Sequence, residues 1–356
     1  MIDPECFSPH WIDRKAKEIG YPDKNLVEKV IRAFSLLDML SASGCPFKFK
    51  GGSSLMLLLK DQRHRLSIDI DIICPPGTDL EKYLTAYRDY GFIDYDIVSR
   101  EQKGTAIPKS HSKFFYQVSY KADSNIKENI LLDVLNEDCH YNEIIELPIE
   151  SQFLKISGKP NKVQLPSIGD ILGDKLTAFA PNTTGIPYEK KGMDRGLDIM
   201  KQLYDIARLF DRIDNLETTS RSFDKISKVE MAYRNIVADK DLIFEDIRNT
   251  ALCITTQGHA GQGNIESLLT GISRIKPYMY NYKYDYNDAV RDASIAAYIG
   301  TCLQMSNYNL EKYNGNPLSI KDMKLSSSLT NRLNRFKRFQ PEAFYYWVKT
   351  SQLLER

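Results

Sequence analysis

The sequence lacks an excess of charge of either sign. Its 356 residues carry 48 lysines and arginines against 47 aspartates and glutamates, which leaves a formal charge of +1. A protein whose whole surface attracts nucleic acid carries a strong basic excess, so any anion-binding surface in this chain must be local. The length allows one large domain or two domains of ordinary size.

Cysteine and histidine are scarce and scattered. The six cysteines include no C-x-x-C pair, and the five histidines form no H-E-x-x-H motif. Zinc sites and disulfide frameworks require clusters of this kind. We therefore expect reduced thiols and no structural zinc.

Long apolar runs are missing as well. The longest, LMLLL at residues 55–59, is far shorter than the roughly 20 residues that cross a bilayer. The first twenty residues include early acidic side chains and lack the apolar segment of a signal peptide. We expect a cytoplasmic protein that does not enter a membrane.

Hydrophobic periodicity predicts an α/β domain over residues 1–212, followed by a mainly helical domain over residues 213–356. Strands alternate with helices in the first part, which is typical of a sheet covered by helices. Strands are expected at 46–50, 65–73, 112–120 and 129–137, and helices at 23–40, 53–61, 78–91, 165–180 and 195–210.

The predicted strand RLSIDIDII, at residues 65–73, carries two carboxylates on one face. Alternation places Asp69 and Asp71 together, opposite three isoleucines. Like charges repel and aspartate is a poor strand former, so a divalent cation between the two is one explanation. The alternative is an exposed edge strand whose outer face is hydrated, and the D-x-D spacing alone favours it.

Upstream, the segment KGGSS predicts a turn from a strand into a helix. Gly51 and Gly52 let the backbone approach a ligand closely, and Ser53 and Ser54 would lie at a helix N-terminus, where anions bind. An ordinary glycine turn with a serine cap would have the same pattern. Together with the carboxylates, however, the segment indicates a metal-dependent phosphoryl or nucleotidyl transferase.

These motifs resemble those of a known family. Gly52 and Ser53, followed by D-x-D, are similar to the G-S … D-x-D signature of the DNA polymerase β-like nucleotidyltransferases. The fuller string KGGSSLMLLL … RLSIDIDI resembles the AbiEii/AbiGii toxin family. Three later blocks match that family in order: LLDVL with Asp133, D-x4-K-x2-A with Lys175, and KQLYDI with Asp205.

The resemblance implies a nucleotidyltransferase-fold catalytic domain of α/β (α+β) type that uses an NTP with Mg²⁺ or Mn²⁺. Asp69, Asp71 and Asp133 would hold the metal, and Asp133 could instead accept the proton of the attacking hydroxyl. Lys175 would neutralise charge on the phosphates, and we expect Asp205 to orient Lys175. The residues that would bind the nucleotide are Gly51, Gly52, Ser53, Ser54, Arg65 and Lys175.

The resemblance also implies a toxin with a cognate antitoxin, acting on RNA and most directly on the 3′ end of tRNA. Two alternatives stay open. The same fold could modify a hydroxyl of a protein or a small molecule, or the chain could be a non-catalytic nucleotide-binding module.

Three further stretches are candidates for contact with substrates. YMYNYKYDY, at 278–286, could present a face of tyrosines that stacks bases, although an edge strand or extended loop whose rings pack on the helical domain is the better interpretation. GTAIPKSHSK, at 104–113, with Lys109, His111 and Lys113, could be a mobile basic loop near the triphosphate. A set of basic residues indicates either an RNA-binding patch or, equally, a hydrated helix face with Leu333, Phe336 and Phe339 inward. The set comprises Lys321, Lys324, Arg332, Arg335, Lys337 and Arg338.

Overall fold

The chain forms two compact units, and each is described by itself. The computed structural model describes residues 1–20, 23–60, 64–99, 109–119, 126–235, 239–325 and 331–355. The first unit comprises Met1–Ser167 and Pro277–Lys283, and the second comprises Ile168–Lys276 and Tyr284–Arg356. This division differs from the boundary expected near residue 212, because the helices that begin at Ile168 and Gly196 pack against later helices of the second unit.

The first unit is built around a mixed five-stranded sheet. Its strands lie in the order β1-β2-β5-β4-β3, with β2 and β5 parallel and the other neighbours antiparallel. Strands β6 and β7 form a separate pair. The elements of this unit are α1 (Pro9–Glu18), α2 (Lys24–Ala42), β1 (Lys48–Lys50), α3 (Gly51–Leu58), β2 (Ile70–Cys74), β3 (Asp94–Ser99), β4 (Lys109–Gln117), β5 (Lys127–Asn136), β6 (Ile144–Pro148) and β7 (Lys162–Pro166).

Helix α2 covers one face of this sheet and packs against β2 and β5. The apolar stripe predicted for the helix is buried throughout. Alternation along β5 buries Ile130, Leu132 and Val134 on the same side, and it leaves the intervening residues of β5 partly accessible on the other face. The sheet therefore has a core face and an open face.

The helix predicted over residues 78–91 is absent. Within this described stretch the chain forms one 3₁₀ turn, Leu80–Tyr83, and then a series of turns. Backbone bonds run from Leu84 to Glu81 and from Tyr87 to Leu84, each spanning three residues rather than four. Such turns bring residues three and four apart to the same side, so they satisfy the apolar spacing that predicted a helix.

A short late segment, Pro277–Lys283, belongs to the first unit. The backbone N–H of Leu66 donates to the carbonyl of Tyr278 (2.8 Å), and that of Tyr280 donates to the carbonyl of His64 (2.9 Å). The segment thus pairs with the stretch of chain that precedes β2.

The second unit is mainly helical, with one small hairpin. Helix α9 is buried along most of its length and packs against α5, α7 and α11. No helix among the described residues of either unit is long and apolar enough to cross a membrane. The elements are α4 (Ile168–Ala178), β8 (Glu189–Lys190), β9 (Met193–Asp194), α5 (Gly196–Phe210), α6 (Glu217–Tyr233), α7 (Lys240–Thr256), α8 (Ile265–Ile275), α9 (Tyr286–Gln304), α10 (Phe336–Phe339) and α11 (Pro341–Leu354).

A buried carboxylate joins α5 to α9 in this unit. Asp292 has no exposed surface, and its Oδ1 accepts a hydrogen bond from Arg208 Nη2 (2.7 Å) and one from Arg291 Nη1 (3.2 Å). The hydroxyl of Tyr284 donates to its Oδ2 (3.1 Å). Because a buried charge is tolerated only when it is paired and hydrogen-bonded, these contacts are what make Asp292 acceptable in the core.

We expect Asp292→Ala to lower the free energy of unfolding by about 3–5 kcal/mol, since it removes the closest counter-charge of the partly buried Arg208. Urea unfolding followed by circular dichroism measures the change. The control is Asp214→Ala, which removes an exposed partner of Lys312 and should leave the midpoint almost unchanged. Equal midpoints for the two variants would contradict this account of the network.

Candidate active site

Four polar side chains lie in one row across the open face of the first unit's sheet. Lys50 on β1 is paired with Asp71 on β2, and Asp71 is paired with Asp133 on the parallel strand β5. Asp133 is in turn opposite His111 on β4. The two carboxylates predicted from separate motifs are therefore direct cross-strand neighbours, with a nitrogen-bearing side chain on each outer side.

The fold raises the pKa of Asp71 to about 6 from its ordinary value of 3.8. Burial is the main cause, followed by the carboxylates of Asp133 and Asp69, while Lys50 and Lys109 act in the opposite direction. The repulsion that we inferred between Asp69 and Asp71 is present, and Asp133 adds more. A bound cation would reduce this repulsion and so stabilise the site.

Backbone packs directly against the Asp71 carboxylate. Gly51, the first residue of α3, has a φ of +75°, and a Cβ placed there would lie 2.1 Å from Asp71 Oδ2. A Cβ on Gly52 would lie 2.7 Å from the hydroxyl of Ser67 and 3.2 Å from Arg65 Nη2. Only glycines allow the start of α3 to approach these side chains so closely.

The two serines of the motif are buried, and their hydroxyls hold the turn together. Ser53 donates to the backbone carbonyl of Asp69, and Ser54 donates to the carbonyl of Gly51 (2.8 Å). The contact expected between Ser53 and a phosphate oxygen stays a prediction. In the first turn of a helix the backbone N–H groups lack intrahelical partners, and these are the donors that could reach a phosphate.

Arg65 is also buried, at 2% exposure. Its Nη1 donates to the carbonyl of Leu66 (3.2 Å), and its backbone forms a bridge with Met279. Its guanidinium thus lies within the first unit beside Gly52, where the start of α3 passes. The nucleotide-binding role of Arg65 stays a prediction.

In the second unit, Lys175 on α4 and Asp205 on α5 form a buried ion pair with Nζ and Oδ2 3.1 Å apart. Lys175 Nζ also donates to Gln202 Oε1 (2.8 Å). The expected pairing of these two residues is present, and the role of Lys175 at the phosphates stays a prediction. Lys201 pairs with Asp198 on the same helix (3.8 Å), in keeping with a surface ion pair.

The basic segment of the second unit is only partly described, because residues 326–330 lie outside the described parts of the chain. Leu333 and Phe336 are buried, as the helix-face interpretation expects, but Phe339 is 74% exposed. Lys337 is not a free cation, since its Nζ donates to the backbone carbonyls of Lys321 and Met323. The other basic side chains of the segment are exposed: Lys321, Lys324, Arg332, Arg335 and Arg338.

Two other stretches differ from their expected form. Residues 109–113 belong to strand β4 and not to a loop, while 104–108 lie outside the described residues. The tyrosine run is not a strand, and its rings pack: Tyr280 contacts Phe153 in the first unit, and Tyr284 contacts Tyr204 in the second. The rings are expected to pack on the helical domain, and Tyr284 does so, whereas Tyr280 packs within the first unit.

His111 is the residue of this row that the motifs did not reveal as a neighbour of Asp133. The alternation of KSHSKFFYQ is a strand signal, and it could have indicated that Lys109, His111 and Lys113 share a face. The register that sets His111 opposite Asp133 depends on strands separated in sequence, and a single sequence does not specify it.

A divalent cation would relieve the repulsion between these carboxylates. In the described parts of the chain, no three His, Cys, Asp or Glu side chains are arranged to hold a metal ion unaided. Mg²⁺, however, usually binds one or two carboxylates and completes its coordination with water and substrate phosphates. The Asp71 and Asp133 pair suits that mode, and the metal-binding role of Asp69, Asp71 and Asp133 stays a prediction.

Comparison with known proteins points in the same direction as the site. The model of a family described as "Nucleotidyl transferase AbiEii toxin, Type IV TA system" matches residues 35–260, more than half of the chain. No curated protein matches the chain.

Two solved structures are similar to the chain at low identity. JHP933 from Helicobacter pylori is 13% identical, with a TM-score of 0.40, over 79% of this chain and 91% of that one. MenT4, a nucleotidyltransferase toxin from Mycobacterium tuberculosis, is 12% identical, with a TM-score of 0.39, over 96% and 98%. Both are too remote to carry an argument.

Asp71→Asn removes the carboxyl whose pKa the fold raises to about 6. Between pH 3.8 and about 6 the folded protein binds this proton more tightly than the unfolded chain does, so the carboxyl reduces stability as pH rises through that window. We expect the variant to exceed the wild type in free energy of unfolding by roughly 1–3 kcal/mol above that window and to match it below the window.

The measurement is urea unfolding in metal-free buffer with a chelator, on both sides of the window. Asp96→Asn, at an exposed position on β3, is the control for a charge removed elsewhere in the same sheet. A gap between Asp71→Asn and the wild type that does not change with pH would contradict the assignment.

Proposed function

The chain belongs to the AbiEii family of nucleotidyltransferase toxins, and from that premise we propose that it transfers a nucleoside monophosphate from an NTP to RNA, most directly to the 3′ end of tRNA. The observation that best supports transfer chemistry is the pairing of Asp71 with Asp133 beside the glycine-rich start of α3. This arrangement sets a carboxylate pair, which can bind a metal ion, beside a helix N-terminus, which can bind phosphate.

In the proposed reaction an acceptor hydroxyl attacks the α-phosphorus of the NTP in line with the leaving group. A new oxygen–phosphorus bond forms, the bond to the bridging oxygen of the β-phosphate breaks, and pyrophosphate leaves. Asp133 either takes up the hydroxyl proton or serves as a metal ligand. Positioning and charge neutralisation account for most catalysis of this type.

The metal proposed for this site is Mg²⁺ or Mn²⁺, which Asp69, Asp71 and Asp133 would hold together with the phosphates of the NTP. When bound, a divalent cation neutralises phosphate charge and polarises the phosphoryl group. The first turn of α3, between Gly51 and Ser54, would contribute backbone N–H groups to the phosphates. Lys175 would stabilise charge that develops on the leaving phosphates.

The proposed setting is a toxin–antitoxin pair in the cytoplasm. The family name describes a type IV system, and an antitoxin encoded with this chain is the expected partner. A hydroxyl on a protein or a small molecule is the second candidate acceptor. A chain that only binds nucleotides would not need clustered carboxylates, where burial and then mutual repulsion raise the pKa of Asp71.

Incubation of the purified chain with total RNA, Mg²⁺ and each α-³²P-labelled NTP in turn tests the proposal. We expect one nucleotide to label a tRNA-sized band. Asp69→Ala should abolish the label, because a ligand of the cation that neutralises the phosphates is lost. Lys175→Ala should slow transfer by about 10²–10³-fold.

Labelling by the variants at the wild-type rate would contradict the assigned site. Label in a protein or small-molecule fraction would move the acceptor to the second candidate. Binding of Mg·NTP without transfer to any fraction would favour the non-catalytic alternative.

The basic segment of the second unit supports RNA as the acceptor. Phe339 is largely exposed, and the guanidinium of Arg338 lies 5.8 Å from the centre of its ring. Arg335 is also exposed, and its guanidinium lies 5.2 Å from the ring centre of Phe336. An exposed ring beside cations is the combination that binds unpaired bases and their phosphates.

We expect Phe339→Ala to weaken RNA binding by about 5- to 100-fold, the worth of one stacked base, and Phe339→Tyr to preserve it. Arg338→Ala should reduce the salt dependence of binding by about one ion. Filter binding at several salt concentrations measures both effects. Lys240→Ala, an exposed lysine paired with Asp224, is the control. Wild-type binding by all three variants would remove this surface from the RNA interface.

A further inference from the structure

We propose that His111 is a positioning residue that holds one oxygen of Asp133, so that the other oxygen is presented to the metal. The inference rests on the proposed function, in which Asp133 belongs to the metal site. Nothing in the motifs that identify the family assigns a role to this histidine.

Geometry carries the inference. His111 and Asp133 are cross-strand partners of β4 and β5, and His111 Nδ1 lies 2.5 Å from Asp133 Oδ1. At this separation the two atoms are hydrogen-bonded. An ionised carboxylate can only accept, so we assign to His111 the tautomer that carries its proton on Nδ1.

The contact also occupies a particular place in the charge pattern. Asp133 has Asp71, a second carboxylate, on one side and His111 on the other. On the far side of Asp71 lies Lys50. Each member of the repelling pair therefore has a nitrogen-bearing neighbour on its outer side.

A hydrogen bond to one oxygen limits rotation of the carboxylate. The terminal torsion of aspartate is broad, so an unheld Asp133 would sample many orientations. Carboxylates that ligate metals are generally hydrogen-bonded by neighbours, and loss of such a neighbour typically costs about 10–100-fold in metal affinity or activity. His111 would do this for Asp133 without being a ligand itself.

Packing does not explain the histidine. The side chains of His111 and Asp133 are 27% and 34% exposed, on the open face of the sheet. The core face of the same strand is formed by Ser112, Phe114 and Tyr116, which are buried. Replacement of His111 should therefore disturb the site more than the fold.

The test uses the full-length chain without nucleotide and measures binding of Mn²⁺ alone by electron paramagnetic resonance. We expect His111→Ala to weaken Mn²⁺ binding by about 10–100-fold. His111→Asn places an amide N–H near the position of Nδ1 and should restore much of the affinity. His10→Ala, an exposed histidine on α1, controls for the loss of an imidazole elsewhere.

Four results would overturn the inference. Unchanged affinity in His111→Ala would show that the contact does not matter to the metal, and tighter binding would show that His111 competes with the cation. Equal losses in the alanine and asparagine variants would assign the effect to the ring and not to its hydrogen bond. A wild type that does not bind Mn²⁺ would remove the site itself.

Activity separates this inference from the proposed function. If no NTP labels any acceptor but the Mn²⁺ affinities follow the expected order, the proposed function fails and the role of His111 stands. If labelling occurs and His111→Ala binds Mn²⁺ like the wild type, only the inference fails. Where both hold, His111→Ala should lower kcat at saturating Mn²⁺ and leave KM for the NTP little changed.

Discussion

Repulsion between two neighbouring carboxylates is the constraint around which the first unit is arranged. The parallel pairing of β2 with β5 sets Asp71 beside Asp133, and burial prevents water from screening the pair fully. Such an arrangement lowers the stability of the folded chain on its own. The sheet tolerates this cost because its strands pair along their whole length and its other face is buried against α2.

Local features of the site could be predicted from the sequence, whereas its cross-strand features could not. Alternation predicts that Asp69 and Asp71 share a face, although β2 begins only at Ile70 and Asp69 precedes it. The glycines at the start of α3 indicated a close backbone approach, which Gly51 makes. The row that adds His111 depends on register between distant strands. The stretch at 78–91 shows that a local pattern can also predict the wrong element. Apolar residues spaced three and four apart occur in helices and in successive turns alike.

Buried polar groups organise the second unit in a different way. Asp292 and Asp205 are fully buried acids, and each is paired with a basic residue from a neighbouring helix: Arg208 with Asp292, and Lys175 with Asp205. These acids lie against opposite charges, whereas Asp71 and Asp133 in the first unit lie against each other. The ion pairs of the second unit specify how its helices pack, whereas the neighbouring carboxylates of the first unit favour binding of a cation.

The late segment Pro277–Lys283 has a consequence for genetic dissection of the chain. It pairs with residues 64–66, only a few positions before Asp69, although more than a hundred residues of the second unit separate it from the rest of the first. Any deletion that ends the chain after the motif-bearing region would remove this partner and leave backbone groups next to the acidic strand unpaired. Loss of function in such a truncation would therefore reflect damage to the first unit, and it would say little about what the helical part contributes.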